Sequence, residues 1–301
     1  MLTRRDYLAT TLALSVGACL PRMAAAQGVA ARPPVGPAWP EMSTGSIVSA
    51  DGTSIRYRAG GRGDVTVLMV HGASCNHRFF SAQFATLAQH YRVVALDLAG
   101  HGGSGSRAEH SVEAFAADVD AVAGTFDGPL VLLVHSAGGR VACAAAQPLG
   151  DRLRGIVGID CFQNLAMPRP DPARVEAVLT MMRHDFRAYI DGAMQFFFPE
   201  GSDPQLVAWV AAQMSATEPA QAAAAAQAYA DFDEKAAIAG FDRPLLALNA
   251  DGVRTDEAVI RELVPGFRAR IFPGQGHFLH LAHWESFNTV LMDSLVAITR
   301  A

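Results

Sequence analysis

Residues 130–139 read LVLLVHSAGG, a run of aliphatic residues that leads into a serine beside small residues. The run is typical of a strand buried in a parallel sheet, and residues 140–146 favour a helix directly after it. A sharp turn from strand to helix leaves little room for side chains two positions before and after the serine. Gly138 meets that requirement, whereas Val134 departs from the usual glycine. The stretch predicts that Ser136 presents its hydroxyl at the carboxyl edge of a sheet, beside a helix N-terminus.

Aliphatic runs and helical periods alternate on both sides of this turn. The helical signal is clear after Ser111, a favourable N-cap residue, where Val112, Phe115 and Val119 recur at helical spacing. Continuous β-branched and aliphatic runs between helices indicate strands covered on both faces. These runs fall at residues 65–70, 93–98, 130–134, 156–159 and 245–248. The pattern predicts an α/β fold built on a doubly wound, mostly parallel sheet.

Residues 161–240 interrupt this alternation with helical patterns alone. Asp171-Pro172 and Asp203-Pro204 each combine an N-cap residue with a proline at the first helical position. We therefore expect a helical cap over residues 161–240, inserted into an α/β core formed by residues 46–160 and 241–301.

The composition excludes several classes of protein. Of the 301 residues, 50% are hydrophobic and 18% are charged, which excludes a disordered or fibrous chain. The 24 Lys and Arg against 29 Asp and Glu give a net charge of −5, and no basic block supports a nucleic-acid partner. Four cysteines are too few for a disulfide scaffold, and we expect Cys75, Cys143 and Cys161 to be buried free thiols.

The first 26 residues are predicted to be an export signal. Arg4 and Arg5 precede an apolar run that ends at Leu20, and residues 24–26 are three alanines that suit cleavage. The paired arginines resemble a twin-arginine signal, so we expect a periplasmic or secreted protein. As an alternative, Cys19 lies in a stretch that resembles a lipobox, and its lipidation would anchor the chain to a membrane. Residues 27–45, rich in Pro, Gly and Ala, would form a linker in either case.

Three further motifs accompany the serine turn at residues 134–138. Residues 71–74 read HGAS, residues 97–104 read DLAGHGGS, and residues 274–280 read GQGHFLH. Each motif is weak alone, but the four in this order make residues 46–300 resemble the α/β-hydrolase superfamily. The first is similar to the family's oxyanion loop, the second to its D-x-x-G-H-G-x-S turn, and the third to its histidine loop.

The resemblance implies roles for individual residues. Ser136 is the expected nucleophile, and His277 is the expected general base that takes its proton. The backbone N–H groups of Ala73 and Ala137 are the expected oxyanion hole. His71, beside that loop, is expected to hold it through hydrogen bonds rather than to act as a base.

The acid of the implied triad has two candidates. Asp251 follows a late strand, stands 26 residues before His277, and fits the family's order of serine, acid and histidine. Asp160, at the end of the preceding strand, is the alternative. We expect Asp251 to orient His277.

No metal or cofactor is expected. The spacing of His277, His280 and His283 suggests a metal site, but no zinc motif of the H-E-x-x-H type accompanies it, and a hydrolase needs His277 free. Residues 100–105 fit G-x-G-x-x-G, yet helical periodicity begins only near Ser111, whereas a dinucleotide site needs a helix that opens within the loop.

The resemblance implies hydrolysis of a small, fairly apolar carboxylic ester or lactone through an acyl-enzyme. Cap residues are expected to wall an apolar pocket over Ser136. Perhydrolysis without a cofactor and carbon–carbon bond hydrolysis use the same triad and stay open, as does a non-catalytic small-molecule binder with this fold. The pocket-wall candidates are Met181, Met182, Phe196, Phe197, Phe198 and Trp209.

Overall fold

The computed structural model describes residues 33–37 and 41–300. Within these residues, eight strands form one sheet in the order β1-β2-β4-β3-β5-β6-β7-β8. β2 pairs antiparallel with β1 and β4, and all other neighbours are parallel. The strands are β1 (Ser43–Val48), β2 (Ser54–Gly60), β3 (Thr66–Val70), β4 (Arg92–Leu96), β5 (Leu130–His135), β6 (Leu153–Ile159), β7 (Leu245–Ala250) and β8 (Phe267–Phe272).

Helices connect the parallel strands and fill the long insertion between β6 and β7. In chain order they are α1 (Ser81–Leu87), α2 (Val112–Ala123), α3 (Gly138–Leu149), α4 (Pro172–His184), α5 (Phe186–Phe197), α6 (Pro204–Ser215), α7 (Pro219–Asp231), α8 (Glu234–Ile238), α9 (Glu257–Leu263), α10 (Leu279–Ala282) and α11 (Trp284–Thr299). None of the helices described here is both long and apolar enough to cross a membrane.

The parallel strands are buried on both faces, as their continuous aliphatic runs predicted. Alternate residues of one strand enter different cores because side chains alternate across a sheet. Leu132 of β5 packs with α2 and α3, whereas Leu133 packs against α1 and α11 on the other face. The prediction of a doubly wound, mostly parallel sheet is confirmed.

The inserted helices form a cap whose hydrophobic cluster also includes residues of the α/β core. Asp171 and Asp203 act as N-caps, since each side chain accepts a hydrogen bond from a backbone N–H in the first turn, at 2.8 Å in both cases. Trp209 and Val210 are buried in the cap cluster, together with Phe278 from the histidine loop. The cap is therefore packed onto the residues that follow the last strands of the sheet.

The described core begins earlier than the sequence pattern indicated. β1 starts at Ser43, inside the range predicted as linker, and its side chain donates to the carbonyl of Ala59 on β2. The strand is polar and lies at the sheet edge, so it lacks the hydrophobic run that marks a buried strand. The predicted export signal over residues 1–26 and the lipidation alternative at Cys19 lie outside the described residues.

Candidate active site

Ser136 stands on a tight turn between β5 and α3. Its φ of +53° is left-handed, a region that non-glycine residues rarely adopt. A Cβ atom at Gly138 would lie 2.6 Å from the carbonyl oxygen of Val70, so this position excludes any side chain. Val134, by contrast, is fully buried within β5 and is accommodated in the core. The turn therefore requires glycine two positions after the serine, at Gly138, but accommodates a valine two positions before it, at Val134.

His277 and Asp160 complete a line of three side chains with this serine. The Nε2 atom of His277 lies 2.9 Å from Ser136 Oγ, and its Nδ1 atom lies 2.6 Å from Asp160 Oδ2. Because a carboxylate only accepts hydrogen bonds, Nδ1 carries the proton and Nε2 is free to accept from the serine hydroxyl. All three residues lie at the carboxyl edge of the sheet, where parallel strands present their ends.

The expectation that Asp251 orients His277 is wrong. Asp251 is exposed beyond the end of β7, and its Oδ1 atom accepts the backbone N–H of Gly274 at 3.0 Å. It supports the turn that leads to the histidine loop. The neighbouring strand supplies the acid instead, since Asp160 directly follows β6 and has a φ of +45°.

Asp160 is held by donors from two other segments. Its Oδ1 atom accepts the backbone N–H of Ala250 at 3.1 Å and the Nε2 of Gln163 at 2.9 Å, while Oδ2 faces His277. Both carboxylate oxygens of this buried residue therefore have partners, and their direction is fixed. β7, which precedes the expected acid Asp251, instead donates the Ala250 N–H to Asp160.

Two uncharged histidines hold the loop that carries Ala73. His71 Nε2 accepts the N–H of Leu98 at 3.0 Å, and His101 Nε2 accepts the N–H of Ser74 at 3.3 Å. In both rings Nδ1 bonds to a nearby carbonyl, which matches the structural role expected for His71. Burial lowers the pKa of His71, and it lowers the pKa of His101 to about 3, so both remain neutral acceptors.

Ala73 and Ala137 line the same cavity as Ser136. The loop packs closely on the serine, because a Cβ at Gly72 would lie 2.9 Å from Ser136 Cβ. Within residues 41–300, neither amide donates to a backbone carbonyl or a side chain. Both N–H groups therefore lack a partner among the described residues, as the donors of an oxyanion hole require.

The cavity over Ser136 is bounded on its far side by the cap. The space between atoms in this region, counted together with open solvent at the mouth, is about 660 Å³. Of the six cap residues predicted to wall it, Met182 and Phe197 do so. The other four are not part of the lining among the described residues: Met181, Phe196, Phe198 and Trp209. The remaining cap lining is Tyr189, Ile190, Ala193, Met214, Ala222, Ala226 and Tyr229.

Phe197 contacts the histidine in two ways. Its ring stacks on His277 with centroids 4.7 Å apart and an interplanar angle of 26°. Its backbone carbonyl accepts the N–H of His277 at 2.7 Å. The sequence contained no signal for this contact, because a phenylalanine at the end of a cap helix resembles any other core residue. The cap therefore positions a residue of the site as well as covering it.

Two further histidines lie beneath His277. The Nε2 atom of His135 lies 3.1 Å from the carbonyl oxygen of His277, and the His135 ring is 4.7 Å from the ring of His280. Burial lowers the pKa of His135, and it lowers the pKa of His280 to about 3. His283 is exposed, and among the described residues no group of three His, Cys, Asp or Glu could hold a metal. The spacing of these histidines reflects core packing under the site.

Comparisons with known proteins identify the family and the fold. The model of the alpha/beta hydrolase family matches residues 67–290. A thermophilic esterase from Thermogutta terrifontis is similar in fold, with a TM-score of 0.74 and 23% identity over 85% of this chain and 99% of that one. Est816, described as an N-acyl homoserine lactone degrading enzyme, has a TM-score of 0.72 and 23% identity over 82% of this chain and 99% of its own.

A curated relative matches over a shorter region. Protein phosphatase methylesterase 1 from Bos taurus is 35% identical over 121 residues, which is 37% of this chain. The match spans 31% of the relative's length.

Proposed function

We propose that this chain, which belongs to the alpha/beta hydrolase family, is a serine hydrolase that cleaves a small, fairly apolar carboxylic ester or lactone through an acyl-enzyme. The observation that carries the proposal is the hydrogen-bonded line from Ser136 through His277 to Asp160 at the floor of the cavity. A nucleophile, a base and a group that orients the base are the elements that acyl transfer needs.

The reaction begins with attack of Ser136 Oγ on the substrate carbonyl carbon, while His277 Nε2 takes the hydroxyl proton. Asp160 keeps the Nδ1–H of His277 in place and stabilises the imidazolium that forms. The Ala73 and Ala137 amides donate to the oxygen that becomes negative, an interaction worth on the order of 10²–10³ in kcat per donor in related chemistry. The C–O bond to the alcohol breaks, and the alcohol oxygen takes the proton from His277.

Water completes the cycle by the same route. His277 takes a proton from the water molecule as it attacks the acyl carbon, and the proton then returns to Ser136 Oγ as the acid leaves. For a lactone, the alcohol and the acid are parts of one ring-opened product.

The apolar cap lining supports the substrate class. Met182, Ile190 and Met214 line the same cavity as the serine and offer alkyl contacts, but they provide no charge for a highly polar substrate. The cavity is closed by the cap rather than open as a long groove, which favours a small molecule over a polymer. The fold neighbours described as an esterase and as a lactone-degrading enzyme are compatible with this class.

Fluorophosphonate labelling, read by intact mass and peptide mapping, tests the proposal. We expect a single adduct on Ser136, and the folded Ser136→Ala variant should carry none. Wild-type protein should also hydrolyse short-chain p-nitrophenyl esters, and the variant should not. A folded wild-type protein that neither labels nor turns over any of these esters would contradict the proposal.

A further inference from the structure

Tyr229 of α7 lines the cavity and carries a polar atom among its apolar neighbours. The residue is 4% exposed, its ring stacks on Phe115 with centroids 5.7 Å apart, and it contributes to the cavity lining. Its hydroxyl is buried, and within residues 33–37 and 41–300 the oxygen has no hydrogen-bond partner. A phenylalanine would make the same ring contacts without this unmade hydrogen bond, which is unfavourable for a buried group.

The state of the hydroxyl is set by its surroundings. Burial raises the pKa of Tyr229, and the opposing effect of the nearby Arg140 charge is smaller. The phenol is therefore protonated over the ordinary pH range and can donate a hydrogen bond. An acceptor on a molecule in the cavity would complete its bonding.

Arg140 lines the same cavity as Tyr229 and Ser136. It lies in the first turn of α3, which begins at Gly138 directly after the serine turn. Its Nε atom is 3.7 Å from Glu234 Oε2, and both side chains are 12% exposed. The neighbouring carboxylate offsets the guanidinium charge, so this end of the cavity has little net charge and favours a neutral acceptor over an anion.

We propose that the Tyr229 hydroxyl, with Arg140 beside it, binds a second, uncharged carbonyl oxygen of the substrate, distinct from the carbonyl that Ser136 attacks. The inference rests on the proposed hydrolase function and refines its substrate class. The preferred substrate is an ester or lactone that also carries a ketone or amide carbonyl.

Matched substrate pairs test this inference. One pair is p-nitrophenyl hexanoate with its 4-oxo and 5-oxo derivatives, and the other is an α-alkyl-γ-butyrolactone with the α-acylamino lactone of equal chain length. For each pair the kcat/KM ratio of the carbonyl compound to its parent is divided by the ratio of their rates of hydroxide hydrolysis. The corrected ratio cancels changes of overall activity between variants.

We expect a corrected ratio above one in the wild type for at least one pair, and Tyr229→Phe should lower that ratio about tenfold. Tyr189→Phe is the matched control, because it removes another phenol of the same lining and should keep the ratio. A purely structural hydroxyl would lower the melting temperature of Tyr229→Phe and leave the ratio unchanged. That result, or a wild-type ratio of one or less in both pairs, would overturn the inference.

A charged analogue tests the neutrality of the site. The mono-p-nitrophenyl ester of glutaric acid carries a carboxylate in place of the ketone, and the wild type should use it less well than the 5-oxo ester. Glu234→Gln should move the preference toward the carboxylate, because Arg140 then lacks its neutralising partner. A wild-type preference for the carboxylate would overturn the uncharged-acceptor assignment.

Failure of the hydrolase function itself is recognised separately. Hydrolysis of the apolar parent esters and the fluorophosphonate adduct on Ser136 depend on the triad and not on Tyr229. If both are present and the ratio fails, only the second-carbonyl inference is wrong. If both are absent in folded protein, the proposed function fails and this inference fails with it.

Discussion

The carboxyl ends of β6 and β7 each carry an aspartate beside the histidine loop, yet only one of them meets His277. Asp160 is buried, accepts from Ala250 and Gln163, and lies 2.6 Å from the Nδ1 of His277. Asp251 is exposed and accepts one backbone N–H. Burial and the number of fixed donors, rather than order along the chain, distinguish an orienting acid from a turn residue.

The largest expected effect comes from Asp160→Asn. The amide can donate to Nδ1, which would favour the wrong tautomer of His277 and leave no lone pair on Nε2 for the serine proton. By analogy with the aspartate of serine proteases, we expect kcat to fall by about 10³–10⁴. Ester hydrolysis by the purified, folded variant measures this. A loss below about tenfold would mean that Asp160 does not orient the base.

Phe197→Leu should have an intermediate effect. The substitution removes the stacked ring from His277 while it keeps an apolar side chain, so we expect a tenfold to hundredfold loss of kcat, about the cost of a small misplacement. Phe198→Leu is the matched control, because Phe198 stacks on Phe278 and not on His277. Both variants should lose a similar stability, about 1 kcal/mol. Equal losses of kcat would refute a specific role for Phe197.

Buried His280 and exposed His283 should differ in how they affect stability at low pH. His280 is fully buried with its pKa lowered to about 3, so it stays neutral when folded but takes a proton when unfolded, near its ordinary value of 6.5. A depressed folded pKa gives stability that is present above pH 6.5 and is lost as the pH falls toward 3. His280→Phe should reduce the loss of unfolding free energy between pH 6.5 and 4.5 by about 2 kcal/mol.

The control for this prediction is His283→Phe, at an exposed position of the same segment. It should leave the pH dependence unchanged. Denaturant unfolding at several pH values measures both variants. An equal effect of the two substitutions would show that burial of His280 is not the cause.

The smallest expected effect belongs to Asp251→Asn. An asparagine oxygen can still accept the N–H of Gly274, so the turn before the histidine loop should persist. We expect kcat to change less than about threefold, since exposed substitutions away from a site usually have small effects. A loss as large as that of Asp160→Asn would reverse the assignment of the two residues.

Local patterns were sufficient to predict the sheet, the serine turn and the histidine. The buried strands, Ser136 and His277 each have a signal within a few residues, either an aliphatic run or a motif with small neighbours. The choice between Asp160 and Asp251 has no such signal. Both follow strands that end at the same edge of the sheet, and the difference lies in a left-handed φ and in donors from other segments.

Contacts between distant segments account for the other omissions. The Phe197 carbonyl reaches His277 across 80 residues of chain, and Tyr229 lines the cavity from an alanine-rich helix. A helical pattern shows that such residues are buried. It does not show which of them contacts the site, because that depends on how the cap is placed over the sheet.

The proton between His277 and its acid gives the most direct measurement. A histidine N–H gives a proton NMR signal far downfield of the amide region when its Nδ1 atom lies only 2.6 Å from a carboxylate oxygen. Spectra of the wild type, Asp160→Asn and Asp251→Asn compare the two candidates without reference to any substrate. We expect the signal in the wild type and in Asp251→Asn, and its loss in Asp160→Asn. A signal that persists in Asp160→Asn and disappears in Asp251→Asn would contradict the account.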